Sequence, residues 1–155
     1  MGVDPGINTT GYAVLRKKGR ELKLLEGGVI RGKSKETLPL RILEIHQNLQ
    51  DVFDTWKPEV LALEEVYSHY ARPETAILMG HVRGVICLCA ALHDVPVASY
   101  SATTVKKTVT GNGRASKNQI QRAIQLEFRL PELPEPPDLA DALALAVCHA
   151  AHVRA

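Results

Sequence analysis

Two strand-like stretches, GYAVLRKK (11–18) and ELKLLEGGVIRG (21–32), are separated only by Gly19 and Arg20. Two residues cannot carry a crossover, so these stretches must pair as an antiparallel hairpin. A shorter strand-like stub, residues 1–4, precedes them. The next segment breaks with this pattern: Leu38, Ile42, Ile45, Leu49, Val52 and Trp56 recur at spacings of four, three, four, three and four. That period predicts an amphipathic helix over 37–56, ended by Pro58. EVLALEEV (59–66) follows as an unalternating apolar strand, the pattern of a central strand covered on both faces.

A second helix over 74–93 leads to a last strand, VPVASYS (95–101), and a short helix near 103–109 precedes the glycine loop TGNGRAS. Ser116-Lys117-Asn118-Gln119 has the form of a capping box and opens a helix running to about Phe128. LPELPEPP reads as a rigid linker, and DLADALALAVCHAAHV as a closing helix. Three antiparallel strands followed by two reached through helices describe an α/β fold: a mixed five-stranded sheet, three strands antiparallel and then two parallel, flanked by helices. At 155 residues and 45% apolar content, the expectation is one domain over 1–155.

The longest uninterrupted apolar run, VICLCAAL, has eight residues, far from a membrane span, and no signal peptide is recognisable, so the chain is expected in the cytoplasm without a membrane partner. Cys87, Cys89 and Cys148 lie in apolar stretches without metal-ligand spacing and read as buried reduced thiols. The net charge of +2 says little, but its distribution is one-sided. No acidic residue falls between Asp94 and Glu127, an interval that holds Lys106, Lys107, Arg114, Lys117 and Arg122. Such a segment suits an anionic partner such as nucleic acid.

Asp4 ends the first stub in GVDPGI; Glu64 and Glu65 stand near the end of the apolar strand; Asp138 and Asp141, three apart, share one face of a helix. Singly, each has a structural reading: a turn aspartate, a polar strand exit, a helix cap. Together they are costly, because like charges brought close disfavour ionisation. A divalent cation removes that cost. An all-oxygen set suits Mg²⁺ or Mn²⁺, and two such ions about 4 Å apart can activate water and stabilise the leaving oxygen in phosphodiester hydrolysis.

Five collinear segments, GVDPGINTTGYAV, ALEEVY, GHVRGV, VKKTVTGNGRASKNQIQ and DLADALALAVCHA, give the chain an end-to-end resemblance to the RuvC family of Holliday-junction resolvases, which have the ribonuclease H-like fold. The resemblance implies a structure-selective endonuclease that resolves four-way DNA junctions by paired, metal-dependent cuts in recombination and repair. It implies catalytic and metal-binding acids at Asp4, Glu64, Asp138 and Asp141, with Mg²⁺ or Mn²⁺, two ions per site. Lys106 and Lys117 match the basic residues near the scissile phosphate, and Tyr67 the aromatic that stacks on junction bases, although a half-buried strand-end tyrosine is the alternative there. Lys107 and Arg114 join the expected DNA contacts through the basic interval. Glu65 matches no family catalytic position, and strand alternation turns it away from Glu64.

Partners implied by the resemblance are a second copy in a two-fold dimer and the RuvA–RuvB branch-migration complex. The second helix fits the former: from Ala76 to Leu92, 13 of 17 positions are apolar, too many for a helix with one solvated face. The alternative is cover by the closing helix. Family members usually carry a longer apolar run before the aspartate than Met1-Gly2-Val3, so the first strand is expected to be a stub or to lack a few native residues. Two other classes compete. An Asp-x-Gly followed by Thr and a strand also opens the phosphate loop of actin-like, heat-shock-protein and sugar-kinase ATPases, which need a second lobe; nucleotide-dependent thermal stabilisation would mark that class. A non-catalytic DNA-binding module would show no metal-dependent cleavage, and has little reason to keep four acids.

Overall fold

The structure, a computed structural model, describes residues 1–32, 35–65 and 73–153. In chain order its elements are β1 (Gly2–Asp4), β2 (Thr9–Lys18), β3 (Glu21–Arg31), α1 (Leu38–Trp56), β4 (Leu61–Glu64), α2 (Pro73–Leu92), β5 (Val97–Tyr100), α3 (Ala102–Thr110), α4 (Lys117–Phe128) and α5 (Pro137–His152). The strands form one sheet in the order β3-β2-β1-β4-β5. β1, β2 and β3 pair antiparallel, while β1–β4 and β4–β5 are parallel, as the two-residue hairpin and the helical crossovers require. At the hairpin Lys18 faces Glu21, and Gly19 takes the left-handed conformation (φ 60°) that a tight turn needs.

β4 and β5 are shorter than their apolar runs suggested, four residues each. Pro58 and Pro96 flank their starts and cannot donate to a ladder; Leu61 N–H donates to the Pro96 carbonyl at 3.0 Å, and regular pairing begins there. β2 starts at Thr9, two residues before the expected point, because Thr9 and Thr10 still face Arg31 and Ile30.

Alternation along the strands divides the core in two. Val3, Val14, Leu61 and Leu63 point to one face and pack against Ile45, Leu49 and Phe53 of α1 and Val82, Ile86 and Cys89 of α2. Ala13 and Ala62 point to the other face, where α5 lies, with Val105 of α3 and Ile120 and Ile124 of α4 behind it. At the centre of the sheet the side chains toward α1 and α2 are thus large and Ala13 and Ala62 beneath α5 are small, while Leu15, Leu22, Leu24 and Tyr100 pack against the same α5-side cluster. A Cβ on Gly2 would meet Ala142 O at 2.3 Å, and one on Gly11 would meet Asp138 O at 2.0 Å. The backbone of α5 therefore rests directly on β1 and β2.

α1 ends on Lys57 in the left-handed conformation, its N–H on Phe53 O. α4 starts with both halves of the capping box in place between Ser116 and Gln119. The proline-rich segment before α5 is fastened to α4: buried Gln121 donates from Nε2 to Pro134 O (3.2 Å) and Glu135 Oε1 (3.0 Å). All three cysteines are free thiols, Cys89 and Cys148 buried and Cys87 partly so. α2 departs from the run-length expectation. Among the described residues it is the one helix long and apolar enough to cross a membrane by length and composition, since Gly80, His81, Arg83 and Gly84 interrupt its apolar run without lowering its average far. It also lies on the opposite sheet face from α5, which rules out cover by the closing helix.

Candidate active site

The carboxyl ends of the neighbouring parallel strands β1 and β4 place Asp4 and Glu64 side by side, a position where α/β sheets commonly bind ligands. Behind Asp4 the turn is locked locally. Thr10, fully buried, donates from Oγ1 to Gly6 O (2.7 Å), and the Gly6 N–H points back to that hydroxyl at 3.3 Å. The third element arrives through glycine. Because Gly11 lets the first turn of α5 touch β2, Asp138 and Asp141 come down beside the end of β1.

Asp4, Glu64 and Asp141 line one cleft of about 250 Å³ together with Lys106 of α3 and Lys117 at the start of α4; Val105, Ile120 and Leu145 form its apolar floor. Lys117 Nζ stands 3.4 Å from Asp141 Oδ2, with side-chain exposures of 73% and 25%. The lysine end of this pair is in water, so it adds little to stability and remains available to an anion.

Electrostatics mark the same residues. Asp4 is pushed up to about 8, first by burial and then by Asp141, Glu64 and Asp138, with Lys117 opposing. Burial followed by Asp141 raises Glu64, against Lys106 and Lys117. Asp141 is also raised by burial, although Lys117 pulls it down, and Asp141 in turn raises Lys117. Half-buried carboxylates crowded in this way are short of positive charge.

Among the described residues no three His, Cys, Asp or Glu side chains are set as a ready coordination group for a metal ion. The chemistry of the donor set nevertheless fits a hard divalent cation. The converging groups are all carboxylates, and a cation would offset both the burial and the like-charge crowding that raise Asp4.

The other sequence-predicted residues fall outside the cleft lining. Asp138, one turn before Asp141, acts on Asp4 and Asp141 through its charge without lining the cleft. Glu65 is exposed beyond the end of β4. Lys107 is exposed on α3, away from the cleft lined by Lys106, and Arg114 is exposed in the α3–α4 loop, where its N–H donates to Asn112 Oδ1 at 3.0 Å. Tyr67 lies outside the described residues. Sequence reasoning missed Thr10 and Gly11. The available signals were a polar residue and a glycine inside a strand otherwise apolar on its buried positions.

Residues 1–149 match the family model described as Crossover junction endodeoxyribonuclease RuvC. The chain is 54% identical over 148 residues to a crossover junction endodeoxyribonuclease RuvC of Rhodopirellula baltica, an alignment spanning 96% of this chain and 83% of that relative. Among solved structures, T. thermophilus RuvC in complex with Holliday junction substrate is similar at TM-score 0.89 and 35% identity, over 96% of this chain and 90% of the other. The yeast mitochondrial Holliday junction resolvase Ydc2 shares the fold at TM-score 0.65 and 13% identity, over 96% of this chain and 77% of the other.

Proposed function

Because this chain belongs to the RuvC family of crossover junction endodeoxyribonucleases, with its ribonuclease H-like sheet, we propose that it resolves four-way DNA junctions by metal-dependent phosphodiester hydrolysis in recombination and repair, its acidic cleft being the active site. The observation that carries this reading is the meeting of Asp4, Glu64 and Asp141 with Lys106 and Lys117 in one cleft. Residues 1–155 act as one nuclease domain.

Asp4, Glu64, Asp138 and Asp141 would hold two divalent ions, Mg²⁺ or Mn²⁺. When bound, these ions supply Lewis-acid stabilisation of the attacking and leaving oxygens. The protein's own groups bring the phosphate there. Lys117, at the positive end of α4 and mostly in water, attracts a phosphodiester that the carboxylates alone would repel. Lys106 offers a second positive charge from α3. Lys107 and Arg114, further out on the same basic segment, take neighbouring phosphates of the junction arms.

Two cuts on a two-fold junction call for two copies of this site, and α2 is the surface through which the copies meet. The setting is cytoplasmic, alongside the RuvA–RuvB branch-migration complex. Support for the substrate comes from the T. thermophilus relative, described in complex with a Holliday junction.

The test is incubation of the protein with a four-way junction and with a matched linear duplex, with and without Mg²⁺ or Mn²⁺. Symmetric paired nicks, confined to the junction and to the metal-containing reactions, are expected. Equal nicking of the duplex, or no nicking of the junction in either metal, would remove the reading.

A further inference from the structure

Arg83 is a charged residue in a helix whose other positions are mostly aliphatic, and it is partly buried. Such a side chain ordinarily snorkels to water. Here its guanidinium turns to the sheet: Nη1 donates to the backbone carbonyl of Glu64 and Nη2 to Ser99 Oγ at 3.0 Å. Both acceptors lie toward the carboxyl ends of the adjacent parallel strands β4 and β5, where Leu63 faces Ser99 and Glu64 faces Tyr100.

The register explains why that carbonyl is open to a side chain. Between β1 and β4, Gly2 faces Ala62 and Val3 faces Leu63, and Ala62 N–H donates to Met1 O at 2.7 Å. In a parallel ladder a residue bonds to the two residues flanking its opposite number. Ala62 is therefore set to bond to residues 1 and 3, and in the same register Glu64 would bond to residues 3 and 5. Residue 5 is a proline, which has no N–H. Regular pairing accordingly stops at Val3–Leu63. The ladder runs out of donors at the residue whose carboxylate enters the cleft, and a backbone carbonyl left without a partner there would be costly.

We propose that Arg83 is a positioning residue for Glu64: it stands in for the ladder donor that Pro5 cannot supply and thereby fixes the backbone from which the carboxylate is aimed. This rests on the reading of Glu64 as an active-site acid. Arg83 acts on the carbonyl; the positive charges felt by the Glu64 carboxylate are those of Lys106 and Lys117. A guanidinium suits the task because its fork reaches two acceptors on two strands at once, whereas lysine offers a single point of attachment.

The experiment compares Arg83→Ala and Arg83→Lys with the parent in four measurements: metal-free junction affinity, sedimentation, single-turnover junction cleavage in saturating Mg²⁺, and hydrogen–deuterium exchange of the metal-free protein across residues 61–65. For Arg83→Ala, affinity and assembly stay as in the parent, cleavage falls by about 10- to 100-fold, as for supporting residues around other metal sites, and exchange across 61–65 accelerates. Arg83→Lys recovers part of the rate. Pro5→Ala restores an N–H at position 5, so Arg83→Ala lowers the rate less in a Pro5→Ala background than in the parent. The proposal is overturned by a parental rate in Arg83→Ala, by a rate loss that merely tracks lost binding or folding, or by equal penalties in the two backgrounds. Exchange needs no catalysis: unchanged exchange in Arg83→Ala overturns this inference alone, whereas a parent that never cleaves junctions overturns the functional reading.

Discussion

Helix α5 buries Ala140 and the whole run from Ala142 to Cys148, whereas α2, four residues longer and as aliphatic, buries only Val82, Ile86, Cys89 and Ala90. On α2, Ile77, Leu88 and Leu92 are each more than half exposed. The glycines repeat the contrast. A Cβ on Gly2 or Gly11, beneath α5, would strike helix backbone, but one on Gly80 or Gly84 of α2 would meet nothing within 4 Å. Apolar content therefore tells that a helix needs cover without telling what covers it. α5 finds its cover inside the subunit, on strand positions kept small for it. Among the described residues the surplus on α2 has none, and this is the surface proposed to meet a second copy.

The sharpest way to break this division of labour is to alter chemistry on the α5 side and look for an effect on assembly. Asp141→Asn should lower junction cleavage by about 10³-fold, worth about 4 kcal/mol. Metal-free junction affinity should be unchanged or higher, because a negative charge facing the phosphate is lost, and sedimentation should still report a dimer. Glu65→Gln should change none of the three.

The acid cluster beneath α5 should also be visible without substrate. Asp4 is raised in the folded state to about 8, against about 3.9 in an unfolded chain. The folded form thus binds the proton more tightly, so this group's stabilisation is fully present below about pH 4 and is lost as pH rises through about 8. Thermal melts of the metal-free protein over that window should show the decline, and Asp4→Asn should flatten it.

On the α2 side, Gly84→Asp should leave the subunit fold intact, since there is room for the side chain. Two like charges brought together at a two-fold contact should weaken dimerisation by about 100-fold or more, read by sedimentation. A dimer of parental affinity would remove α2 from the contact. Smallest is a matched pair of alanine substitutions. Gly11→Ala should cost about 1–3 kcal/mol in denaturant melts by forcing α5 off the sheet, whereas Gly80→Ala should stabilise the subunit by about 0.5–1 kcal/mol, the ordinary gain for an unobstructed helix interior.

Local rules made much of this fold legible. The four-three spacing located α1 to within one residue, expected over 37–56 and found at Leu38–Trp56, because a helix carries its period in the chain itself. The two-residue hairpin and the capping box at Ser116 are equally local. What stayed hidden depends on rotation or on distant partners. Successive helical residues are about 100° apart, so Lys106 lines the cleft while Lys107 faces water. Asp138 and Asp141 share a face yet differ by most of a turn in height, and only the second lines the cleft. Nothing local to Gly11 or Arg83 tells that α5 lies against the one or that the other has acceptors on two strands.

The position of β1 has a consequence for how the protein is made. This strand, the earliest of the five in chain order, sits in the middle of the sheet, and its parallel partner, with Leu63 opposite Val3, is translated some sixty residues later. Its cover comes later still, when Ala142 and Ala146 of α5 close over Gly2. Contacts so distant along the chain are slow to form and invite a long-lived, incomplete sheet. The cleft draws its acids from residues 4, 64 and 141, so it cannot exist on a nascent chain whose α5 is still in the exit tunnel. A translation product that lacks α5 therefore carries no assembled cleft, and on the proposed reading of that cleft cutting activity arises only once synthesis has passed α5.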